Sequence, residues 1–343
     1  MAKKVLVTGG TGYIGSWVVK LLLENGYTVR MAVRNKNRDL AYLHAIAAKS
    51  SGTLEVWEAD LLTEGAYDAP AKGADAIIHM ASPFTFRFKD AQKDLIDPAV
   101  KGTRNVLEAA NKSGTVKRVV LTSSVAAVYG DNADMAEQGL QEFTEEHFNT
   151  SSSFTHQPYS YSKVMAEKEA WKIHSAQTAW QLVVINPALV LGPALSHLSD
   201  SESLAIMKDL LTGRYRMGAP ELCLGFVDVR DVAAAHLLAL ENEKAEGRYI
   251  LSERTASIMD LAQTVRQKFG SKYKLPLMKS PKLMLHLVGW LFGLTSKFIS
   301  RNVGYPLKLN ATKSKQDLGL KYTPLEQTVE DMVLQMQKDK LVD

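Results

Sequence analysis

The chain has 343 residues, 46% of them hydrophobic and 23% charged, a composition that builds a buried core and excludes a disordered chain. At about 100–200 residues per domain, the length fits two lobes, or one large α/β domain with an appended lobe, and exceeds that of a simple interaction module. A net charge of +4, from 41 basic against 37 acidic residues, is too small a surplus to mark a nucleic-acid partner unless it is clustered.

Residues 4–8 form a short apolar run closed by glycines, and residues 13–24 carry Ile14, Val18, Leu21 and Leu22 at helical spacing. The chain therefore opens as strand, glycine turn, helix. Its first apolar run is far too short for a secretory leader, and a cytoplasmic protein is expected. Strands are predicted over 28–33, 54–59, 74–80, 118–122 and 182–190, and helices over 95–111 and 162–175. Strands alternating with helices mean βαβ crossovers and a parallel sheet covered on both faces. Nearly continuous apolar runs such as Val119-Val120-Leu121 and Val183-Val184-Ile185 are what such doubly covered strands require.

Beyond Gly192-Pro193 the pattern changes to longer helical pieces with short strands, including 224–227 and 248–251. This predicts a first domain over 1–192, to which residues 226–240 return, and a smaller, mainly C-terminal substrate lobe over 193–343. No period of about 20–50 residues repeats. The most apolar late stretch, 283–294, contains His286 and is about half the length of a bilayer span; a core or lobe helix is predicted, with interfacial attachment as the alternative. No transmembrane segment is expected.

Gly9, Gly12 and Gly15, within Thr8-Gly9-Gly10-Thr11-Gly12-Tyr13-Ile14-Gly15, fall between the first strand and the first helix. There a dinucleotide pyrophosphate can approach the backbone and meet the unpaired N–H groups of the helix start. Gly9, Thr11, Gly12, Tyr13, Ile14 and Gly15 are the candidate contacts; a glycine turn serving only tight packing is the alternative. The second strand ends at Val33-Arg34, with Lys36 and Arg38 close behind and no acid until Asp39. An acid there would hold a ribose 2′-hydroxyl, whereas arginines suit a 2′-phosphate, so NADPH is expected unless this run is merely a solvated loop. Asp60 and Leu61, after the third strand, are placed beside the adenine. Ala81, Ser82 and Pro83, after the fourth, are placed along the pyrophosphate or nicotinamide ribose.

Thr122, Ser123 and Ser124 follow a strand whose C-terminal end should open at the same crevice. Tyr159 and Lys163, four residues apart, share one helix face. A phenol has a reference pKa of about 10, and a neighbouring ammonium favours its ionised form. A serine hydroxyl can hydrogen-bond a carbonyl oxygen as charge develops on it. Taken singly, the Tyr/Lys spacing also occurs on ordinary amphipathic helices and paired serines also cap helices; their order behind the glycine turn joins them into one site.

These motifs make the chain resemble an extended short-chain dehydrogenase/reductase, and within that superfamily the dihydroflavonol 4-reductase-like branch, which includes cinnamoyl-CoA reductases and bacterial aldehyde or ketone reductases. The matching stretches are residues 8–17 (TGGTGYIGSW), 27–34 (YTVRMAVR), Ala59-Asp60-Leu61, 79–83 (HMASP), Thr122-Ser123-Ser124, 159–163, and Asn186-Pro187 through Gly192-Pro193. The resemblance implies a Rossmann-type fold, Ser124, Tyr159 and Lys163 as catalytic triad, Lys163 also on the nicotinamide ribose, Pro187 to Val190 lining the nicotinamide, and a homodimer through the helices containing Asn105 and Lys163. In three places the chain departs from the patterns of the families it resembles. Ala99 stands where extended members carry an asparagine. Tyr129 replaces the small polar specificity residue of plant flavonoid reductases. Leu189 replaces the asparagine of nucleotide-sugar epimerases.

The function expected is NADPH-dependent reduction of an aldehyde or ketone to an alcohol, with Tyr159 as proton donor. The alternatives are a NAD-retaining epimerase or dehydratase, a 3β-hydroxysteroid-type dehydrogenase, and a non-catalytic NADPH sensor. Phe84, Tyr129 and Phe226, with the 195–226 region, are the candidate pocket for a hydrophobic small-molecule carbonyl substrate. Taken singly, Met217, Leu222 and Phe226 read first as core, with an apolar pocket wall as the alternative. Eight scattered histidines without ligand spacing predict no metal. His156 reads as a loop histidine, with a place beside the substrate as the alternative. Cys223, the only cysteine, excludes an intramolecular disulfide and reads as a small buried hydrophobe.

Overall fold

The computed structural model describes residues 3–82, 89–196 and 201–342. Its strands are β1 (Lys4–Thr8), β2 (Thr28–Val33), β3 (Thr53–Glu58), β4 (Ala76–His79), β5 (Arg118–Thr122), β6 (Gln181–Pro187), β7 (Leu189–Leu191), β8 (Cys223–Asp228), β9 (Gly247–Leu251) and β10 (Arg254–Ser257). Seven of them form a parallel sheet in the order β3-β2-β1-β4-β5-β6-β9. This is the doubly wound, Rossmann-type α/β architecture.

Successive side chains of a strand point to opposite faces, and the two faces here are buried by different helices. Val5 and Val7 share a core with Val19 and Leu22 of the Tyr13–Glu24 helix and Val232 and Ala235 of the Val229–Glu241 helix. Leu6 faces the other way, into a core with Val106 and Leu107 of the Asp97–Ser113 helix and Ala170 of the Pro158–Ser175 helix. At about 1.5–3 kcal/mol per large apolar side chain removed from water, these two layers hold the sheet against the entropy of ordering it.

The register sets one level across the sheet, because Thr8 pairs with both Ala32 and His79, His79 with Leu121, and Leu121 with Val184. The segments that begin just beyond this row all emerge at one edge: the glycine turn, Arg34, Met80 to Ser82, Thr122 to Ser124, and Asn186-Pro187. Strand order reverses between β1 and β4, which opens the ligand crevice at their C-terminal ends.

Three sequence expectations change. Residues 182–190, read as one strand, break at Ala188: Pro187 has no N–H to continue the ladder, and β7 joins a second sheet of order β10-β8-β7. Residues 248–251, read as part of the smaller lobe, instead close the main sheet as β9. Residues 283–294 are not a core helix: a short helix (Lys282–Val288) and a 3-10 turn (Gly289–Phe292) bury Leu285 and Gly289 but leave Leu283, Leu287 and Trp290 75%, 69% and 72% exposed. Leu285 meets a small separate cluster with Ile299 and Val303, against which Leu294 also packs. No helix among the described residues is long and apolar enough to cross a membrane.

Candidate active site

Gly9 has φ 72°, and its carbonyl accepts the N–H of Gly12 at 3.0 Å. A Cβ on Gly9 would sit 2.7 Å from the Ala81 nitrogen, and one on Gly15 would sit 2.0 Å from the Gly9 carbonyl oxygen. The turn therefore has to be glycine to lie this close to the end of β4 and to its own helix. Gly12 caps the Tyr13–Glu24 helix without a side-chain hydrogen bond, and the first turn carries no acidic residue. The positive end of the helix is left available to an anion from outside the chain.

Thr8 stitches β1 to β4 at the switch point. Its Oγ1 accepts the N–H groups of Met80 and Ala81 at 3.2 and 3.1 Å and lies 2.7 Å from His79 Nδ1. With both acceptor positions used, the hydroxyl proton goes to Nδ1. His79 is held neutral: burial, and then the Lys163 cation, push its pKa down to about 3.

A cavity of about 590 Å³ opens beside this turn, lined among others by Gly9, Thr11, Gly12, Arg34, Arg38 and Asp60. Leu61, Ala81 and Ser82 also line it. Arg38 Nη1 donates to Thr11 Oγ1 at 2.9 Å, and neither Arg34 nor Arg38 forms an ion pair with a carboxylate among the described residues. Asp60 Oδ1 accepts the Leu62 N–H at 2.8 Å, and Asn105 Nδ2 donates to the Leu61 carbonyl at 2.9 Å, so the turn after β3 is fixed from both sides. Glycine backbone without side chains in the way, the uncapped helix end and two cations in one cavity fit a phosphorylated dinucleotide.

Not every residue expected there reaches the cavity. Lys36 is exposed outside its lining. Tyr13 buries its side chain and donates its hydroxyl to the Gly192 carbonyl at 2.5 Å, while Ile14 packs against the core, so each offers only backbone. Pro83 and Phe84 lie outside the described residues.

At the next strand ends, Ser124 caps the short turn Val125–Ala127, its Oγ accepting the Ala126 N–H at 3.1 Å. The Tyr159 phenol is hydrogen-bonded with the Ser124 side chain, and Lys163 Nζ lies 5.7 Å from the Tyr159 ring centroid. Burial pushes the phenol's pKa up, and the Ser124 hydrogen bond only partly opposes it. The lowering expected from Lys163 is not seen: burial sets the direction, and Ser124 is the group that opposes it. Burial also pushes Lys163 down to about 8, against the pull of Glu167.

Thr122 and Ser123, expected along the cofactor, turn their hydroxyls to other partners. Thr122 Oγ1 lies 2.6 Å from His236 Nε2, and Ser123 Oγ donates to Glu167 at 2.5 Å. Pro187 and Val190 are buried, Val190 within the core, and neither lines the 590 Å³ cavity. Phe226 has no exposure and is core, the first of its two readings, rather than pocket wall. Tyr129 is stacked on Phe143 with centroids 5.1 Å apart. Met217, read as core, is 78% exposed, and Cys223 is only half-buried.

Two buried groups escaped the sequence reading, and a third was misplaced by it. Glu167, four residues after Lys163 on the same helix face, was detectable by spacing. Arg248, whose Nε lies 2.6 Å from Glu167 Oε1, belongs to the distant β9 and was not. His156 is no loose loop residue: it is buried, with Nε2 2.8 Å from the buried Asp131.

Residues 5–251 match the model of the NAD dependent epimerase/dehydratase family. A cinnamoyl-CoA reductase of Medicago truncatula is 36% identical over 343 residues, spanning 99% of this chain and 97% of that protein. An anthocyanidin reductase ((2S)-flavan-3-ol-forming) of Vitis vinifera is 35% identical, over 80% of this chain and 83% of that protein. Among solved structures, yeast methylglyoxal/isovaleraldehyde reductase Gre2 complexed with NADPH superposes with a TM-score of 0.80 at 28% identity, covering 98% of this chain and 99% of that one. The chain belongs to the NAD dependent epimerase/dehydratase family and, within the extended short-chain dehydrogenases/reductases, to the dihydroflavonol 4-reductase-like branch of oxidoreductases.

Proposed function

We propose that the protein is an NADPH-dependent reductase that converts the carbonyl group of an aldehyde or ketone to an alcohol, with Tyr159 as the proton donor. The observation that carries this reading is the Tyr159 phenol hydrogen-bonded with Ser124, with the Lys163 ammonium 5.7 Å from its ring, at the same sheet edge as the glycine turn. The relatives are named as reductases, and the yeast structural neighbour is complexed with NADPH.

The backbone of Gly9, Thr11 and Gly12 would hold the pyrophosphate, and Arg34 with Arg38 a 2′-phosphate. When bound, the reduced nicotinamide supplies the hydride. Ser124 Oγ–H hydrogen-bonds the substrate oxygen as negative charge grows on it. Tyr159, kept protonated by burial, gives its Oη proton to that oxygen. Lys163, still largely cationic at neutral pH, then stabilises the phenolate left behind.

Tyr159→Phe keeps the ring and removes the proton. Turnover with aldehydes and ketones is expected to fall by about 10²–10⁴-fold, while NADPH binding, followed by fluorescence titration, stays intact. Undiminished turnover in that variant would overturn the assignment.

A further inference from the structure

We infer that the surface built by residues 277–292 docks on an anionic lipid bilayer, lying in its interface without crossing it. Soluble proteins expose single apolar side chains routinely, but not a run of this kind. Leu277, Leu283, Leu287, Trp290, Leu291 and Phe292 are between 43% and 81% exposed, and all lie within sixteen consecutive residues. The Arg214 guanidinium sits beside this patch, 5.6 Å from the Phe292 ring centroid.

Charge selects the occupant. From residue 261 to residue 316 the sequence has 11 lysines and arginines and no aspartate or glutamate, while the rest of the chain has 30 basic against 37 acidic residues, a net −7. The chain's whole basic surplus therefore sits in the segment that also carries the exposed apolar side chains. Several of these cations are engaged within the protein, among them Lys279 with Glu221 and Arg301 with Asp131. Lys272, Lys274 and Lys297 are exposed and pair with no carboxylate among the described residues. A tryptophan and leucines on a short helical surface, flanked by exposed lysines without carboxylate partners, match the headgroup–acyl boundary of a membrane whose lipids are anionic. A protein partner with an apolar groove would satisfy the leucines but gives no reason for a 56-residue stretch free of acids.

The mode of attachment follows from the fold. The helix is only seven residues long, and Leu285 anchors it to Ile299 and Val303 of the protein's own small cluster. The surface can thus be presented without unfolding.

The test is flotation of the full chain with vesicles of phosphatidylcholine alone and vesicles of equal parts phosphatidylcholine and phosphatidylglycerol. The intact chain is expected to float with the phosphatidylglycerol vesicles, to do so less as salt is raised, and to stay behind with phosphatidylcholine alone. Leu287→Ser/Trp290→Ser should melt with the parent, keep its turnover, and lose about tenfold or more of the vesicle-bound fraction. Lys274→Glu/Lys297→Glu should weaken binding to the anionic vesicles and flatten its salt dependence. Failure of the intact chain to float with phosphatidylglycerol vesicles, or undiminished flotation of the Leu287/Trp290 variant, overturns the inference. So does a dimer in light scattering that this variant dissolves while no vesicle binding is found, because the patch would then join two copies of the chain.

Discussion

Glu167 accepts a hydrogen bond from the Ser123 hydroxyl at 2.5 Å and has no solvent exposure. The contact ties the helix that carries Tyr159 and Lys163 to the residue just before Ser124. The same carboxylate accepts Asn186 Nδ2 at 2.9 Å, and Asn186 also donates to the Ser124 carbonyl at 3.1 Å. Arg248 Nε supplies the counter-charge at 2.6 Å, though at an angle too poor for a hydrogen bond, and Arg248 Nη2 has no hydrogen-bond partner among the described residues.

Glu167→Gln removes the negative charge that opposes the effect of burial on Lys163. The amine should then lose its proton at lower pH than about 8, and the alkaline limb of kcat/KM should move to lower pH with it. Leaving Arg248 buried without its partner should also cost about 3 kcal/mol of unfolding free energy. A pH–rate profile beside a urea titration separates the two effects; an unmoved alkaline limb would leave Glu167 a purely structural role.

Arg34 and Arg38 line the cavity from the end of β2 and the loop behind it. Arg34→Ala should weaken NADPH binding by about tenfold or more, the worth of one charge-assisted contact, and leave NADH binding nearly unchanged. Arg38→Ala should do the same, with a further small loss because Thr11 loses its hydrogen bond. Dissociation constants for both cofactors decide the matter, and equal losses for both would make these arginines ordinary surface residues.

The parts of the site legible in the sequence are those whose signal is local. The glycine spacing, the run after β2 and the four-residue interval from Tyr159 to Lys163 each declare themselves within a few residues, and β1, β2 and β5 have the bounds their apolar runs imply. What stayed hidden depends on partners far apart in the chain. Glu167 meets Arg248 from β9, 81 residues on, and Asp131 meets Arg301 170 residues on. The directions taken by the Thr122 and Ser123 hydroxyls were hidden for the same reason, because His236 and Glu167 become their neighbours only after folding.

Asp131 gathers four donors: His156 at 2.8 Å, and Gln157, Arg301 and Asn302 at 2.6 Å each. Burial alone would raise its pKa, but these hydrogen bonds hold it below the usual carboxylate range. Gln157, at φ 53°, leads directly into Pro158 and the helix of Tyr159. Asp131→Asn should therefore destabilise the protein by about 3 kcal/mol through the loss of the buried pairing and lower kcat, while the NADPH dissociation constant is kept. Thermal melts and steady-state kinetics check it. A kcat equal to the parent's would show that the anchor does not position Tyr159.

His79 and His236 predict acid sensitivity well above the carboxylate range. His236 Nδ1 donates to the Val232 carbonyl at 2.7 Å, so Nε2 accepts from Thr122, and the neutral ring is the form the site holds. Burial pushes its pKa down to about 4, and that of His79 down to about 3. The unfolded chain, with histidine near pKa 6.5, takes up these protons first. The stability each ring confers is therefore complete above about pH 6.5 and is lost, by about 1.4 kcal/mol per pH unit, as the pH falls toward the folded values. Asp231 runs the other way: burial raises its pKa to about 6, so folded protein gains stability as the pH drops below that value. The balance is a loss of about 2 kcal/mol between about pH 7.5 and about pH 5.5. His236→Gln should shrink this loss to about 0.5 kcal/mol, read by urea unfolding at the two pH values, and an unchanged pH dependence would mean that the folded protein takes up a proton on His236 as readily as the unfolded chain does.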